Sequence, residues 1–255
     1  MTHAETVALP CPICESVSTR FDVVDFNKSC EELRGKCLPL SGVPIQYYLC
    51  QKCGFCFAPE VYRWRLDEFA SKIYNSEYVE VDPDYLDARP RANAQNLVNM
   101  FRDAPVSIRH LDYGGGNGLM SDLLFEAGWQ SSSYDPFIDR DIQPTDLGKF
   151  DLITAYEVFE HVPDVKQLIS NLSTLLIEDG IVLFSTLLSD GNIATHQRLT
   201  WWYASPRNGH ISLFSRKSLA ILAERGGFNF GSFSEGFHAF WRNVPTWAAH
   251  VIRAS

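Results

Sequence analysis

Residues 108–119 read Ile-Arg-His-Leu-Asp-Tyr-Gly-Gly-Gly-Asn-Gly-Leu. A short apolar run ends in an acid, Asp112, and Gly114, Gly116 and Gly118 then alternate. Leu119, Leu123, Leu124 and Ala127 follow at helical spacing until Gly128 stops the pattern. The order encodes a strand, a tight turn and the opening of a helix. Such a unit belongs in an open, mostly parallel sheet, where ligands sit beyond the carboxyl ends of the strands.

The turn discriminates between cofactors. A dinucleotide fingerprint places a third glycine where helix and strand pack closely. Counting from Gly114 that position is Leu119, and counting from Gly116 it is Ser121. A carboxylate before the turn would also repel a pyrophosphate held on backbone N–H groups, whereas it would attract a cation. S-adenosylmethionine carries an ammonium and a sulfonium and no phosphate. The pattern Asp112-x-Gly114-x-Gly116-x-Gly118 resembles the first motif of class I S-adenosylmethionine-dependent methyltransferases. Trp129 to Asp135 reads as a second strand ending in an acid, placed to accept hydrogen bonds from ribose hydroxyls. Phe150 to Asp164, with Glu157, Glu160 and His161, resembles the fourth-strand motif of small-molecule methyltransferases. The resemblance implies a Rossmann-like α/β fold with a mostly parallel seven-stranded sheet whose last strand is antiparallel. It also implies cofactor contacts at Asp112, Tyr113, Gly114, Gly116, Gly118, Asp135 and Glu157.

All seven cysteines fall in the first quarter of the chain, at 11, 14, 30, 37, 50, 53 and 56. Cys11-Pro-Ile-Cys14 and Cys50-Gln-Lys-Cys53 are two C-x2-C knuckles separated by 35 residues. Four thiolates at this spacing point to a closed, structural Zn²⁺ site, with Gly54 permitting the tight turn after the second pair. Cys30, Cys37 and Cys56 stand outside the pattern, and Cys56 competes with the expected ligands. The alternative is a set of buried, reduced thiols. The expected layout is a zinc-ribbon-like module over 1–60, a helical linker or lid over 61–105, and a methyltransferase domain over 106–255. Paired knuckles ahead of a methyltransferase domain resemble nucleotide-sugar C-methyltransferases, which carry a further large C-terminal domain.

The net charge of −9 disfavours a broad nucleic-acid footprint. No apolar run approaches the length of a membrane span, and Met1–Thr6 shows no basic segment leading into an apolar one. The expected setting is therefore cytoplasmic. The lid segment is rich in rings, with Tyr74 and Tyr78 as candidates to cover the cofactor; core packing explains them equally well. Pro83 and Pro90 interrupt its helical pattern. A long connection over 188–212 holds Trp201, Trp202, Tyr203 and His210. Loops of that length are commonly functional, and this family builds its acceptor pocket there. Phe228 to Arg242 reads as a β-hairpin turning at Gly236.

Methyl transfer from a sulfonium mainly requires alignment, with a base only where the acceptor atom carries a proton. His161 and His210 are the catalytic candidates, since imidazole titrates near neutrality; a structural hydrogen bond is the alternative for each. The expected function is S-adenosylmethionine-dependent O- or C-methylation of a small-molecule acceptor, such as a sugar nucleotide or a secondary metabolite. Two other readings compete: an RNA methyltransferase whose zinc module grips the substrate, and a non-catalytic binding protein on the same fold.

Overall fold

The computed structural model describes residues 8–104 and 107–253. The Met1–Thr6 segment and the expected boundary between 105 and 106 lie outside them. In chain order the strands are β1 (Ala8–Pro10), β2 (Val17–Asp25), β3 (Pro44–Cys50), β4 (Cys56–Phe57), β5 (Arg109–Tyr113), β6 (Gln130–Tyr134), β7 (Phe150–Tyr156), β8 (Leu176–Ser185), β9 (Ser212–Leu213), β10 (Asn229–Ser232) and β11 (Phe237–Trp241). The helices are α1 (Leu66–Lys72), α2 (Ala88–Met100), α3 (Leu119–Glu126), α4 (Val165–Leu175), α5 (Arg216–Arg225) and α6 (Ala249–Ile252). Two compact units result. The first takes the chain up to Asp82 with Glu160–Lys166 and Leu187–Leu222; the second takes Pro83–Phe159, Gln167–Thr186 and the chain from Ala223.

The first unit is built on an antiparallel sheet ordered β1-β2-β3-β4-β9. The cysteine module does not close by itself at residue 60. β4 is only two residues long, and its outer edge pairs with β9, Cys56 facing Leu213. The pairing caps an edge that would otherwise stay open. Phe55 lies between the rings of Phe57 and Phe214, at 5.5 and 5.0 Å. The connection leading to β9 is pinned by Lys28, whose Nζ donates to the carbonyls of Trp201 and Ala204 at 2.7 and 3.0 Å.

The second unit carries a sheet ordered β10-β11-β8-β7-β5-β6. β8, β7, β5 and β6 run parallel, and β11 joins β8 antiparallel as the inner arm of the expected hairpin, with β10 at the edge. Leu152, Ile181 and Leu183 of the sheet meet Leu97 and Phe101 at α2 and Met120 and Leu124 of α3. Six strands form this sheet among the described residues, where the family resemblance implies seven. The segment between β6 and β7 holds Pro136, Pro144 and four aspartates, at 135, 139, 141 and 146. Proline withholds a ladder donor and aspartate favours turns, so the chain forms turns and a short 3₁₀ helix at Pro144–Leu147 instead. Pro90 sits in the first turn of α2, where a missing N–H leaves no helical bond unmade. β8 begins at Leu176, so Asp179-Gly180 lies within a strand rather than in a turn before it. The Cβ of any other residue at Gly180 would come 2.9 Å from the Asp151 carbonyl, which makes glycine the residue that lets β7 and β8 pair here.

The two cysteine knuckles have matching backbones. Glu15 N–H donates to Cys11 O at 2.9 Å and Gly54 N–H to Cys50 O at 2.8 Å. The residue after each second cysteine is left-handed, with φ of 63° at Glu15 and 76° at Gly54. Glutamate pays a steric penalty there that glycine does not, and its ion pair with Lys166 is exposed and weak. Glu15→Gly is therefore expected to raise stability by about 1 kcal/mol. Denaturant titration checks this, and a loss of stability would show that the knuckle tolerates glutamate without strain.

Candidate functional site

β5 delivers Asp112 to the carboxyl end of the second unit's sheet, beneath the glycine turn. Its carboxyl is buried, and burial pushes it up to about 7, while a hydrogen bond from Thr154 acts in the opposite direction. Thr154 Oγ1 lies 3.0 Å from Asp112 Oδ1 and 2.9 Å from His110 Nε2, and His110 Nδ1 lies 2.7 Å from Ser131 Oγ. A hydroxyl has one proton. Given to ionised Asp112, it leaves Thr154 to accept from His110 Nε2–H, and His110 Nδ1 to accept from Ser131. The tautomer follows from this chain, because burial drops His110 to about 3 and keeps the ring neutral. Three side chains on neighbouring strands thus orient one carboxylate.

The turn is shaped around that carboxylate. Gly114, Gly116 and Gly118 have φ of 78°, 56° and 78°. Gly115, between them, is the tightest point. A Cβ there would strike Ser133 Oγ and come within 2.6 Å of Asp112 Oδ2. Gly116 N–H donates to Asp135 Oδ2 at 3.1 Å, and Phe137 N–H donates to Asp135 Oδ1 at 2.8 Å. Each carboxylate oxygen of Asp135 keeps further acceptor capacity. Asp112, Gly114, Gly116, Gly118 and Asp135 are therefore assembled in one place.

Tyr113 and Glu157 take other positions. The Tyr113 ring projects from the opposite face of β5, packs on Tyr134 at 5.5 Å, and has its hydroxyl bonded by Asn171 at 2.9 Å. Side-chain alternation along the strand imposes this, so only its backbone belongs to the turn. Glu157 is left-handed, with φ of 54°, although it is not glycine. Ser185 holds it there: its hydroxyl accepts from Glu157 N–H and donates to Glu157 Oε1, both at 2.8 Å. The clamped residue borders a cavity of about 550 Å³. Arg89, Asn93 and Asn96 line one wall from a single face of α2, with Tyr156 and Phe237 opposite.

His161 and His210 come together in the first unit, ring centroids 4.9 Å apart. His210 Nδ1 lies 2.8 Å from the Tyr203 carbonyl. Glu160 is fully buried and accepts the Tyr203 hydroxyl at 2.6 Å. Of the rings in the long connection, Trp201 and Tyr203 are buried and Trp202 is partly exposed, as packing against the core requires of the first two. Tyr78, expected over the cofactor, has its hydroxyl on the Asn208 carbonyl at 3.3 Å and its ring against Tyr74 at 5.1 Å. His238 bonds Thr186 O and Ser232 within its own unit.

The four knuckle cysteines form one cluster, every Sγ within 4.8 Å of the others. Cys11 and Cys53 are 3.6 Å apart and Cys14 and Cys50 3.4 Å. A tetrahedron with metal–sulfur bonds of about 2.3 Å has edges of about 3.8 Å, whereas a disulfide needs about 2.05 Å. The donor set fits a tetrahedral thiophilic metal. The close Cys53 thiol pulls the Cys11 thiol down, against burial acting the other way. Cys56, buried in β4, and Cys37, exposed, lie outside this cluster. Cys30 Sγ lies 3.8 Å from His210 Nδ1.

The sequence pattern described as "Methyltransferase domain" matches residues 85–231, more than half of the chain. The chain belongs to that family. This bears out the resemblance to class I S-adenosylmethionine-dependent methyltransferases and the α/β fold. Among curated proteins, ubiquinone biosynthesis O-methyltransferase of Actinobacillus pleuropneumoniae is 29% identical, over 30% of this chain and 44% of that protein. Its counterpart in Coxiella burnetii is 30% identical, over 30% and 42%. The chain thus spans less than half the length of these relatives. Among solved structures, 1,6-didemethyltoxoflavin-N1-methyltransferase of Burkholderia thailandensis, with S-adenosylhomocysteine bound, superposes with a TM-score of 0.48 at 17% identity, covering 76% of this chain and 96% of that one.

No helix of the described residues is long and apolar enough to cross a membrane. The residues missed by sequence reading are His110, Thr154 and Ser131; Thr154, a polar residue in the largely apolar β7, carries the one local signal.

Burying Asp112 has a measurable cost. Its carboxyl titrates near 3.9 unfolded and at about 7 folded. The unfolded chain therefore loses this proton first, and stability falls as pH rises from about 4 to 7, by an amount on the order of 4 kcal/mol. Asp112→Asn keeps the acceptor for Thr154 and removes the charge. It is expected to raise the thermal midpoint of the free protein at pH 8 and to give no such gain at pH 4. An equal effect at both pH values would contradict the buried-charge account.

Proposed function

We propose that this chain transfers a methyl group from S-adenosylmethionine to a small-molecule acceptor, with a structural zinc ion in the four-cysteine cluster. The alternating-glycine turn over a buried, network-oriented carboxylate carries the reading. In it, Asp112 receives the cofactor's ammonium, Gly114, Gly116 and Gly118 admit the methionine backbone, and Asp135 accepts the ribose hydroxyls. A pyrophosphate on the glycine turn is disfavoured by Asp112 beneath it.

The chemistry then asks little of the protein. The acceptor's electron pair forms a bond to the methyl carbon as the carbon–sulfur bond breaks, and S-adenosylhomocysteine leaves. Catalysis rests on alignment and on disposal of the acceptor's proton. His161 and His210 are the residues proposed to take that proton. Glu157, fixed at the rim of the cavity bordered by α2, is proposed to contact the acceptor, with Arg89, Asn93 and Asn96 selecting its polar groups. The names of the curated relatives favour an oxygen nucleophile. Sugar nucleotides, phenols and secondary-metabolite hydroxyls are the first acceptor classes to screen for S-adenosylhomocysteine formation. The closed thiolate set supports a structural metal without a role in transfer.

Two measurements follow. An ammonium binding a carboxyl that titrates near 7 favours the ionised form. Affinity for S-adenosylmethionine should thus weaken as pH falls below about 7, with a proton released on binding. Calorimetry in buffers of different ionisation enthalpy reads both, and pH-independent binding with no proton release would exclude Asp112 as the cation's partner. Cys14→Ser should lower zinc content by elemental analysis and lower the thermal midpoint; full zinc content would break the four-thiolate assignment.

A further inference from the structure

The first unit holds a second convergence of metal-ligating side chains, distinct from the cysteines. Glu160 and His161 come from the short 3₁₀ turn at Phe159–His161, and His210 from the connection before β9. One ligand atom from each lies within 4.8 Å of the other two. Glu160 is fully buried, His210 is 4% exposed, and the His161 side chain is 14% exposed. His161 Nε2 is 3.9 Å from Glu160 Oε1. Bond lengths of about 2.0–2.2 Å to a common ion require the ligand atoms to close by about 1 Å, a movement within rotamer adjustment.

The surroundings are those of a ligand set. A carbonyl oxygen only accepts, so the His210 ring donates to Tyr203 O from Nδ1, and Nε2 keeps the lone pair. Metal-binding imidazoles commonly have this outer contact, which fixes the tautomer and turns the lone pair outward. Glu160 is held in the same way by the Tyr203 hydroxyl. One residue, Tyr203, thereby orients two of the three ligands, with its backbone and its side chain. Gly209 keeps the backbone close to the third: a Cβ there would come 3.0 Å from His161 Nδ1. A fully buried carboxylate needs a cationic partner. One divalent ion would engage all three groups at once.

We propose that Glu160, His161 and His210 form a second metal site of the two-histidine, one-carboxylate type. Two nitrogens and one oxygen suit a divalent first-row transition ion rather than magnesium or calcium. Three protein ligands leave coordination positions open, on the side of His161, the ligand that reaches solvent. The site would take an exogenous oxygen donor there. A bound ion turns the two histidines from proton acceptors into ligands, so this inference refines the role proposed for them above. Its test needs no substrate, and its failure is separable from failure of the methyltransferase reading.

The test is metal stoichiometry. The full chain is dialysed against Zn²⁺ or Co²⁺, desalted and analysed for metal per chain. Wild type is expected to retain two ions, and Cys11→Ser one. Glu160→Gln, His161→Gln and His210→Gln are each expected to retain the cysteine-bound ion and to bind the second at least about tenfold more weakly. The Co²⁺ spectrum assigns the ions, since only the cysteine site gives intense thiolate charge-transfer bands. His161→Gln, at the most exposed ligand, serves where the buried variants misfold. One ion per wild-type chain overturns the proposal, as does a second ion that persists undiminished in His161→Gln.

Discussion

A single carboxylate in the wrong medium organises the second unit. Asp112 sits out of water at the end of β5, where its charge is costly, and the glycine turn is folded so closely around it that no side chain fits at Gly115. His110, Thr154 and Ser131 are committed to orienting it. These four polar groups occupy strand positions that apolar residues would fill more stably. On the function proposed above, binding of a cationic cofactor would offset the desolvation that folding incurs. The same logic separates this turn from a phosphate-binding one, where backbone N–H groups face an anion and an acid beneath them would oppose it.

The first unit solves a different problem. Its sheet includes two strands of only two residues each, β4 and β9, and the unit buries Tyr47, Phe55, Phe57 and Phe214 as well as most of the cysteine cluster. Two knuckles with superimposable hydrogen bonding bring four sulfurs to tetrahedral spacing. The chain between Leu187 and Leu222 then returns to pair with β4 and brings His210 beside His161. Lys28 and Tyr203 tie this connection down from opposite ends of the polarity scale, one as a cation on carbonyls and the other through a buried carboxylate.

Legibility in the sequence tracked how local the cause was. The glycine turn, the two acids at strand ends, the knuckles and the terminal hairpin are each encoded within about ten residues, and each appears where the pattern puts it. What the pattern could not show depends on partners distant in sequence. The module boundary at 60 missed β9, because a two-residue strand has no periodicity to detect. Tyr113 was assigned by adjacency to Asp112, yet alternation along β5 turns it to the other face. His110 carries no local signal; Thr154, 44 positions away, gives it a role. The seven-strand count came from family resemblance alone; between β6 and β7, Pro136 and Pro144 favour turns, and six strands form this sheet among the described residues.

The most direct test of the central claim is the titration of the Asp112 carboxyl itself, followed by carbon-13 NMR in the free protein and with S-adenosylmethionine at saturation. The account predicts an apparent pKa near 7 in the free protein, falling by about two units or more when the cationic cofactor binds. A carboxyl that already titrates near 4 in the free protein, or one whose titration the cofactor leaves unmoved, would contradict it.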